Sequence, residues 1–301
     1  MEEWQNLSSQ DCTSLSAFAN RVKEKTWQRS SQAMMPVEAV RTRDIRCLFK
    51  LDGPHALVVF NADHALNDQV EITDANGKLL DTWQPDDGLT YSYIVPVGVS
   101  SVNLRWTAGP IPPGTFSVNA KAKETKIVSL KIPSGLAQPH TPQDAYLGLN
   151  NALQAAVLAG TETGQLQLST AQALVQVNPK ANVETYLVEA LKSSDLDETQ
   201  KAVVAIALGK SEVASVDLSP KIGDELTKLG KLSKAGEVFN VLAQKESGLE
   251  KEKLYSQALK SFSEAADPGQ LSSTLSAVME IKDDKARERI LKEGLRASEQ
   301  P

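Results

Sequence analysis

The feature that most constrains this chain is a change of hydrophobic period across one proline-flanked segment, PSGLAQPHT at residues 133–141. Before it, apolar and polar residues alternate, the period of a pleated strand with one buried face. After it, apolar residues return every three or four positions, the period of an amphipathic helix. The two patterns do not interleave, so repeated strand-helix-strand units are excluded and separate all-β and all-α parts are predicted. With 301 residues, each part is long enough to bury its own core. The expected organisation is an N-terminal helix and connector over residues 1–41 and an antiparallel β-sandwich of about seven strands over residues 42–133. A linker at 134–141 then leads to a helical-hairpin, repeat-like αα-solenoid over residues 142–301.

Turn residues punctuate the β block. DIRCLFKL at 44–51 reads as its first strand, and HALVVF at 55–60, apolar almost throughout, reads as a central one. QVEIT (69–73) and KLLDTW (78–83) flank Asp74-Ala75-Asn76-Gly77, whose residues tolerate positive φ, and together they predict a hairpin. LTYSYIV puts Leu89, Tyr91, Tyr93 and Val95 on one face. SVNLRW puts Val102, Leu104 and Trp106 opposite Asn103 and Arg105, and TKIVSLKI aligns Val128, Leu130 and Ile132. No helical periodicity separates these runs, so the strands are expected to pair as hairpins and not as parallel units. Upstream, Leu15, Phe18, Ala19 and Val22 have helical spacing and predict one short amphipathic helix within residues 9–26.

Beyond the linker, helix start signals recur. Thr141-Pro142-Gln143-Asp144 combines a capping hydroxyl, a first-turn proline and an acid near the positive end of the helix dipole. Tyr146, Leu149, Leu153 and Val157 follow at the spacing of one face. Asp195-Leu196-Asp197-Glu198 has capping-box spacing ahead of KAVVAIAL and its terminating Gly209, while Ser219-Pro220 and Asp267-Pro268 open later helices. About nine helices are predicted, groupable as antiparallel pairs of about 35–45 residues. In QALKSFSEAADP, Ala258, Phe262 and Ala265 resemble the second helix of a tetratricopeptide-type repeat. The helix before it lacks a glycine and bulky residues at the matching spacing, so the resemblance carries no function to this chain. An irregular helical bundle is the competing arrangement.

Charge excludes some functions. The net charge is −6, with 14 Lys and Arg against 15 Asp and Glu up to His140 and 18 against 23 beyond it. Such a balance does not suit a general nucleic-acid binder, which needs concentrated cationic side chains. No apolar run is long enough to span a bilayer. MEEWQNLSSQ at the amino terminus lacks the basic and apolar regions of a signal peptide. The compartment leans extracytoplasmic all the same, because a small sandwich and a single cysteine pair fit there. Cys12 and Cys47 form one disulfide in an oxidising compartment or remain two thiols in a reducing one, and mass measurement with and without thiol alkylation separates the two cases.

Patterns that carry chemistry are sparse. Gly209-Lys210-Ser211 has the tail of a phosphate-binding loop, but the leading glycine of that motif would fall at Val204, so a helix C-cap is the better account. The three histidines, His55, His64 and His140, show no zinc-ligand spacing with one another or with the cysteines. His64 lies near Asp63, Asn67 and Asp68, yet the loop lacks the acidic ladder and closing glutamate of a calcium site and reads as a solvated polar turn. Asp81, Asp86 and Asp87 read as exposed turn carboxylates and not as an acid-base pair. The cluster of Arg41, Arg43, Arg46 and Lys50 suits an acidic partner or, more simply, a solvated strand edge. Trp83, Tyr91, Tyr93 and Trp106 are the residues that would form a sugar-stacking platform, although their alternation with aliphatic residues fits the core better. No catalytic residue, metal ligand or cofactor is assigned. The expected function is a non-enzymatic scaffold or adaptor whose helical part binds a protein partner while the sandwich docks or spaces it. The alternatives are a carbohydrate- or cell-envelope-binding protein using the sandwich aromatics, and an enzyme whose site is assembled from distant residues.

Overall fold

The computed structural model describes residues 55–84, 88–96, 101–106, 109–119, 121–135 and 137–295. The expected N-terminal helix, the strand at 44–51, Cys12, Cys47 and the basic cluster at 41–50 lie outside the described residues. The protein is mixed α and β, with nine α-helices and three sheets among the described residues. It divides into two compact units, Met1–Ala173 and Leu174–Pro301.

The first unit holds the strands: β1 (His55–Ala62), β2 (Ala65–Leu66), β3 (Val70–Thr73), β4 (Leu79–Trp83), β5 (Thr90–Pro96), β6 (Ser101–Trp106), β7 (Gly109–Ser117), β8 (Thr125–Leu130) and β9 (Ala137–Gln138). They form a four-stranded antiparallel sheet in the order β4-β3-β6-β7, a three-stranded sheet in the order β5-β1-β8, and the small pair β2-β9. The hairpin between β3 and β4 forms at its expected turn. Asp74 accepts the Asn76 and Lys78 N–H groups on its carboxylate at 2.8 and 2.9 Å, and Gly77 takes a φ of 80° that a side chain would resist.

Hairpin pairing does not extend to every strand. β1 runs antiparallel to β5 but parallel to β8, with Leu57 opposite Thr125 and Ala62 opposite Leu130. The expectation of a wholly antiparallel block is corrected here. The chain leaves β1, builds the whole of the other large sheet, and returns to the free edge of β1 in the same direction. A crossover between parallel strands needs a long connection, and here strands supply it in place of a helix.

β1 is buried on both faces, as its apolar run requires. Ala56, Val58 and Phe60 join Val70, Ile72, Trp83, Val102, Leu104 and Trp106 in one core shared by the two large sheets. Leu57 and Val59, which point the other way, are equally buried. That second side is the side of helix α1 (Pro142–Ala159), which packs on β1 and β5. α1 buries Leu149, Ala152, Leu153 and Ala156, whereas Val157, expected on the same face, is 61% exposed. Gly148 allows the close approach, since a Cβ there would sit 2.7 Å from the Thr90 hydroxyl on β5. Past α1, Glu162 donates its N–H to Lys123 O at 2.8 Å, and the buried Thr125 and Thr161 hydroxyls bond at 2.9 Å. α1 and the turn after it therefore belong to the sheet unit, and the division between units falls inside the next helix, α2 (Gly164–Val177).

The second unit continues through α3 (Glu184–Lys192), α4 (Glu198–Ala207), a short 3-10 turn, α5 (Pro220–Lys228), α6 (Leu232–Lys245), α7 (Gly248–Glu264), α8 (Pro268–Met279) and α9 (Asp284–Leu295). Helix ends follow local chemistry. α4 starts with a capping box, although the pair is Asp197 with Gln200 and not the expected Asp195 with Glu198. Its other end closes on Gly209 at a φ of 67°, where the Gly209 and Lys210 N–H groups return to Ile206 O and Ala205 O. The Gly-Lys-Ser sequence is thus a helix terminus. Asp267 caps α8 through the Gln270 N–H and also receives the Ser233 hydroxyl of α6 at 2.7 Å.

Packing runs from neighbour to neighbour: α3 on α4, α4 on α5, α5 on α6, α6 on α7, and α7 on both α8 and α9. Three of the crossings use a glycine against a large side chain. Gly223 of α5 meets the Phe239 ring of α6, Gly236 of α6 meets the Phe262 ring of α7, and Gly294 of α9 meets Leu259 of α7. In each case an added Cβ would come within 2.9 Å of its neighbour. Such overlap inside a filled core outweighs alanine's better helix propensity. Gly236→Ala is therefore expected to lower the unfolding free energy by about 1–3 kcal/mol in urea denaturation. Gly269→Ala on α8, where the nearest atom is 3.8 Å away, is expected to be near neutral.

Candidate functional site

The first unit brings two distant histidines together. β2 pairs with β9 so that Ala65 faces Gln138 and Leu66 faces Ala137. Continued by one or two residues, that antiparallel register sets the Asp63-His64 turn beside Pro139 and His140. The His64 and His140 rings lie 5.8 Å apart between centroids and nearly perpendicular, at 85°. Both residues are exposed.

A fixed carboxylate stands behind His64. Asp63 Oδ1 accepts the Ile132 N–H at 2.8 Å, and the Asp63 N–H donates to Leu130 O at 3.0 Å, so both its backbone and its side chain are tied to the end of β8. The same Oδ1 lies 3.2 Å from His64 Nδ1. Partial burial alone pushes the Asp63 carboxyl up, but the Ile132 N–H and the His64 imidazole outweigh it and hold the group below the usual carboxylate range. On the other side, Asp144 is committed to capping α1. It accepts the Thr141 N–H and hydroxyl at 2.8 Å each and is held low by those bonds and by His140.

The remaining polar residues of this turn close the loop on itself. Asp68 accepts the Gln69 N–H at 2.7 Å, and Asn67 reaches Gly135 O at 3.4 Å. One Asp68 oxygen and the Asn67 amide nitrogen are thus committed within this turn. Among the described residues no group of three or more His, Cys, Asp or Glu side chains is arranged to hold a metal ion.

The aromatics considered for sugar stacking are distributed differently. Trp83 is fully buried, Trp106 is 2% exposed and Tyr93 is 6% exposed, all within the shared core. Trp83 stacks on the partly buried Tyr91 at 5.9 Å and donates Nε1 to Gly88 O at 3.1 Å. The ring faces of Trp83 and Trp106 are turned to protein, and no open platform exists among the described residues. Asp81 lies in β4 opposite Ile72, while Asp86 and Asp87 lie outside the described residues.

A second surface feature belongs to the helical unit. α7 and α8 are joined by a three-residue turn, so the start of α7 and the end of α8 lie at the same end of the pair. Leu249 there is 76% exposed and Met279 is 58% exposed, the former the most exposed of the large apolar residues described. Arg289 of α9 grips Glu252 of α7 through two bonds of 2.8 Å, and this pairing holds the Glu252 carboxyl below its usual range. Sequence spacing pointed to neither feature. The histidines meet through a two-residue strand pair too short to show any period, and the apolar end depends on which helix neighbours which.

The chain matches no protein family, no curated protein and no solved structure.

Because the folded Asp63 carboxyl is held low, its contribution to stability is present above the ordinary carboxylate pKa and is lost as pH falls through the folded value. Asp63→Ala is expected to melt below the wild type at neutral pH, with the gap closing toward about pH 3. Thermal unfolding followed across that range checks this.

Proposed function

We propose that the chain is a non-enzymatic scaffold: a β-sandwich, backed by α1, that carries an αα-solenoid whose surface binds a protein partner. The observation that carries the proposal is the serial packing of α3 to α9, in which each helix rests on those next to it in sequence or, for α9, mainly on α7 one helix away. Neighbour-to-neighbour stacking is how helical solenoids are built, and it leaves long surfaces that no distant part of the same unit covers. The recurring glycine against a large side chain at successive crossings supports a repeated packing device in place of an irregular bundle. The exposed Leu249 and Met279 supply apolar side chains of the kind partners bury. The core common to both large sheets supports the sandwich assignment. Fold alone does not establish function, so the contact surface has to be tested directly.

The test uses the whole chain as bait, because α1 packs on the strands and a cut at the 134–141 segment would strip it from them. Wild-type chain is expected to retain a discrete partner from lysate of the source cells. Leu249→Glu with Met279→Glu is expected to lose that partner with unchanged melting temperature, while Val157→Glu on α1 retains it. Equal retention by all three proteins, or none by the wild type, overturns the proposed surface.

A further inference from the structure

We infer that His64 and His140 form a two-imidazole site for a divalent late transition-metal ion, with zinc as the representative. Three observations converge on it. First, the separation suits a shared ion. With Zn–N bonds of about 2.0–2.1 Å, two imidazoles sharing an ion at tetrahedral angles have centroids roughly 5–5.5 Å apart, and from the observed edge-to-face contact at 5.8 Å a small ring movement reaches that distance. Second, His64 is already oriented as a ligand. Its Nδ1 lies 3.2 Å from the Asp63 carboxylate, and in the tautomer that donates to that carboxylate Nε2 offers a lone pair. A carboxylate behind a ligating imidazole is the arrangement that fixes tautomer and ring direction at metal sites, and Asp63 is itself anchored by the Ile132 N–H. Third, both rings are exposed, so an ion reaches them from solvent and the perpendicular rings can turn their nitrogens toward it without disturbing the core.

The ligand type selects the ion. Two neutral imidazole nitrogens favour zinc, nickel or copper over calcium or magnesium, which require oxygen cages. With no third side chain in position among the described residues, water completes the coordination. The ion would tie the turn after β1 to the residue before the Thr141 cap, joining the sheet to the start of α1.

Zinc chloride is titrated into the full chain by calorimetry after alkylation of Cys12 and Cys47, whose thiols would otherwise compete. One ion per chain is expected to bind saturably. His64→Ala and His140→Ala are each expected to weaken binding at least about tenfold, and Asp63→Asn to weaken it by roughly tenfold as a positioning residue. His55→Ala is expected to leave it unchanged. In parallel, cobalt is expected to shift the imidazole proton resonances of His64 and His140 and spare those of His55. Absence of saturable binding in the wild type overturns the inference. So does binding that survives in the His64→Ala, His140→Ala double variant, provided circular dichroism shows that variant to be folded.

Discussion

The whole first unit depends on one strand being covered on both faces. β1 turns Ala56, Val58 and Phe60 toward the four-stranded sheet and Leu57 and Val59 toward the side where α1 packs, with none of the five accessible to water. Leu57, Val58, Val59 and Phe60 each contribute on the order of 1.5–3 kcal/mol by leaving water. Neither cover can be dispensed with, because an uncovered face of β1 would present a row of aliphatic side chains to solvent. The layers follow from that requirement: a sheet packed on β1 from one side, a helix from the other, and β5 and β8 flanking it in the plane. Gly148 and the Thr125-Thr161 pair serve the same end by letting the helix and its turn settle against the strands.

The second unit solves burial differently. There α7 packs against α6, α8 and α9, and three of the crossings are a local agreement between a glycine that yields space and a side chain that fills it. Gly223 with Phe239 and Gly236 with Phe262 are the clearest instances. A bare Cα lets two backbones approach, and the phenyl ring takes the volume that a methyl would have occupied. Polar ties then fix the stagger between helices. Asp267 links α6 to the start of α8, and Glu252 links α7 to α9.

Much of this was legible in the sequence wherever the cause was local. The turn at Asp74 to Gly77, the cap at Thr141 with Asp144, the glycine end of α4 and the central place of HALVVF all rest on residues within a few positions of one another. The alternation of Trp83 and Trp106 with aliphatic neighbours also pointed correctly to the core. What could not be read depended on distant partners. The parallel partner of β1 is set by the path of the chain through a second sheet. On α1, Leu149 and Leu153 are buried as expected, but Val157 in the same row is exposed. The histidines illustrate the limit most sharply. His64 and His140 show no mutual spacing, and only the two residue pairs of β2 and β9 bring them together.

The parallel pairing of β1 with β8 bears on the order of events during synthesis. β1 emerges before every other described strand, yet its place between β5 and β8 is complete only when Thr125–Leu130 has followed, and its outer face stays bare until α1 has been made. Until then an aliphatic ribbon with unpaired edges exists on the growing chain, the kind of segment that aggregates or recruits chaperones. The helices after Leu174 meet their partners within one or two elements and can add one at a time. By contact order, the strand unit is thus expected to complete its native pairing more slowly than the helical unit.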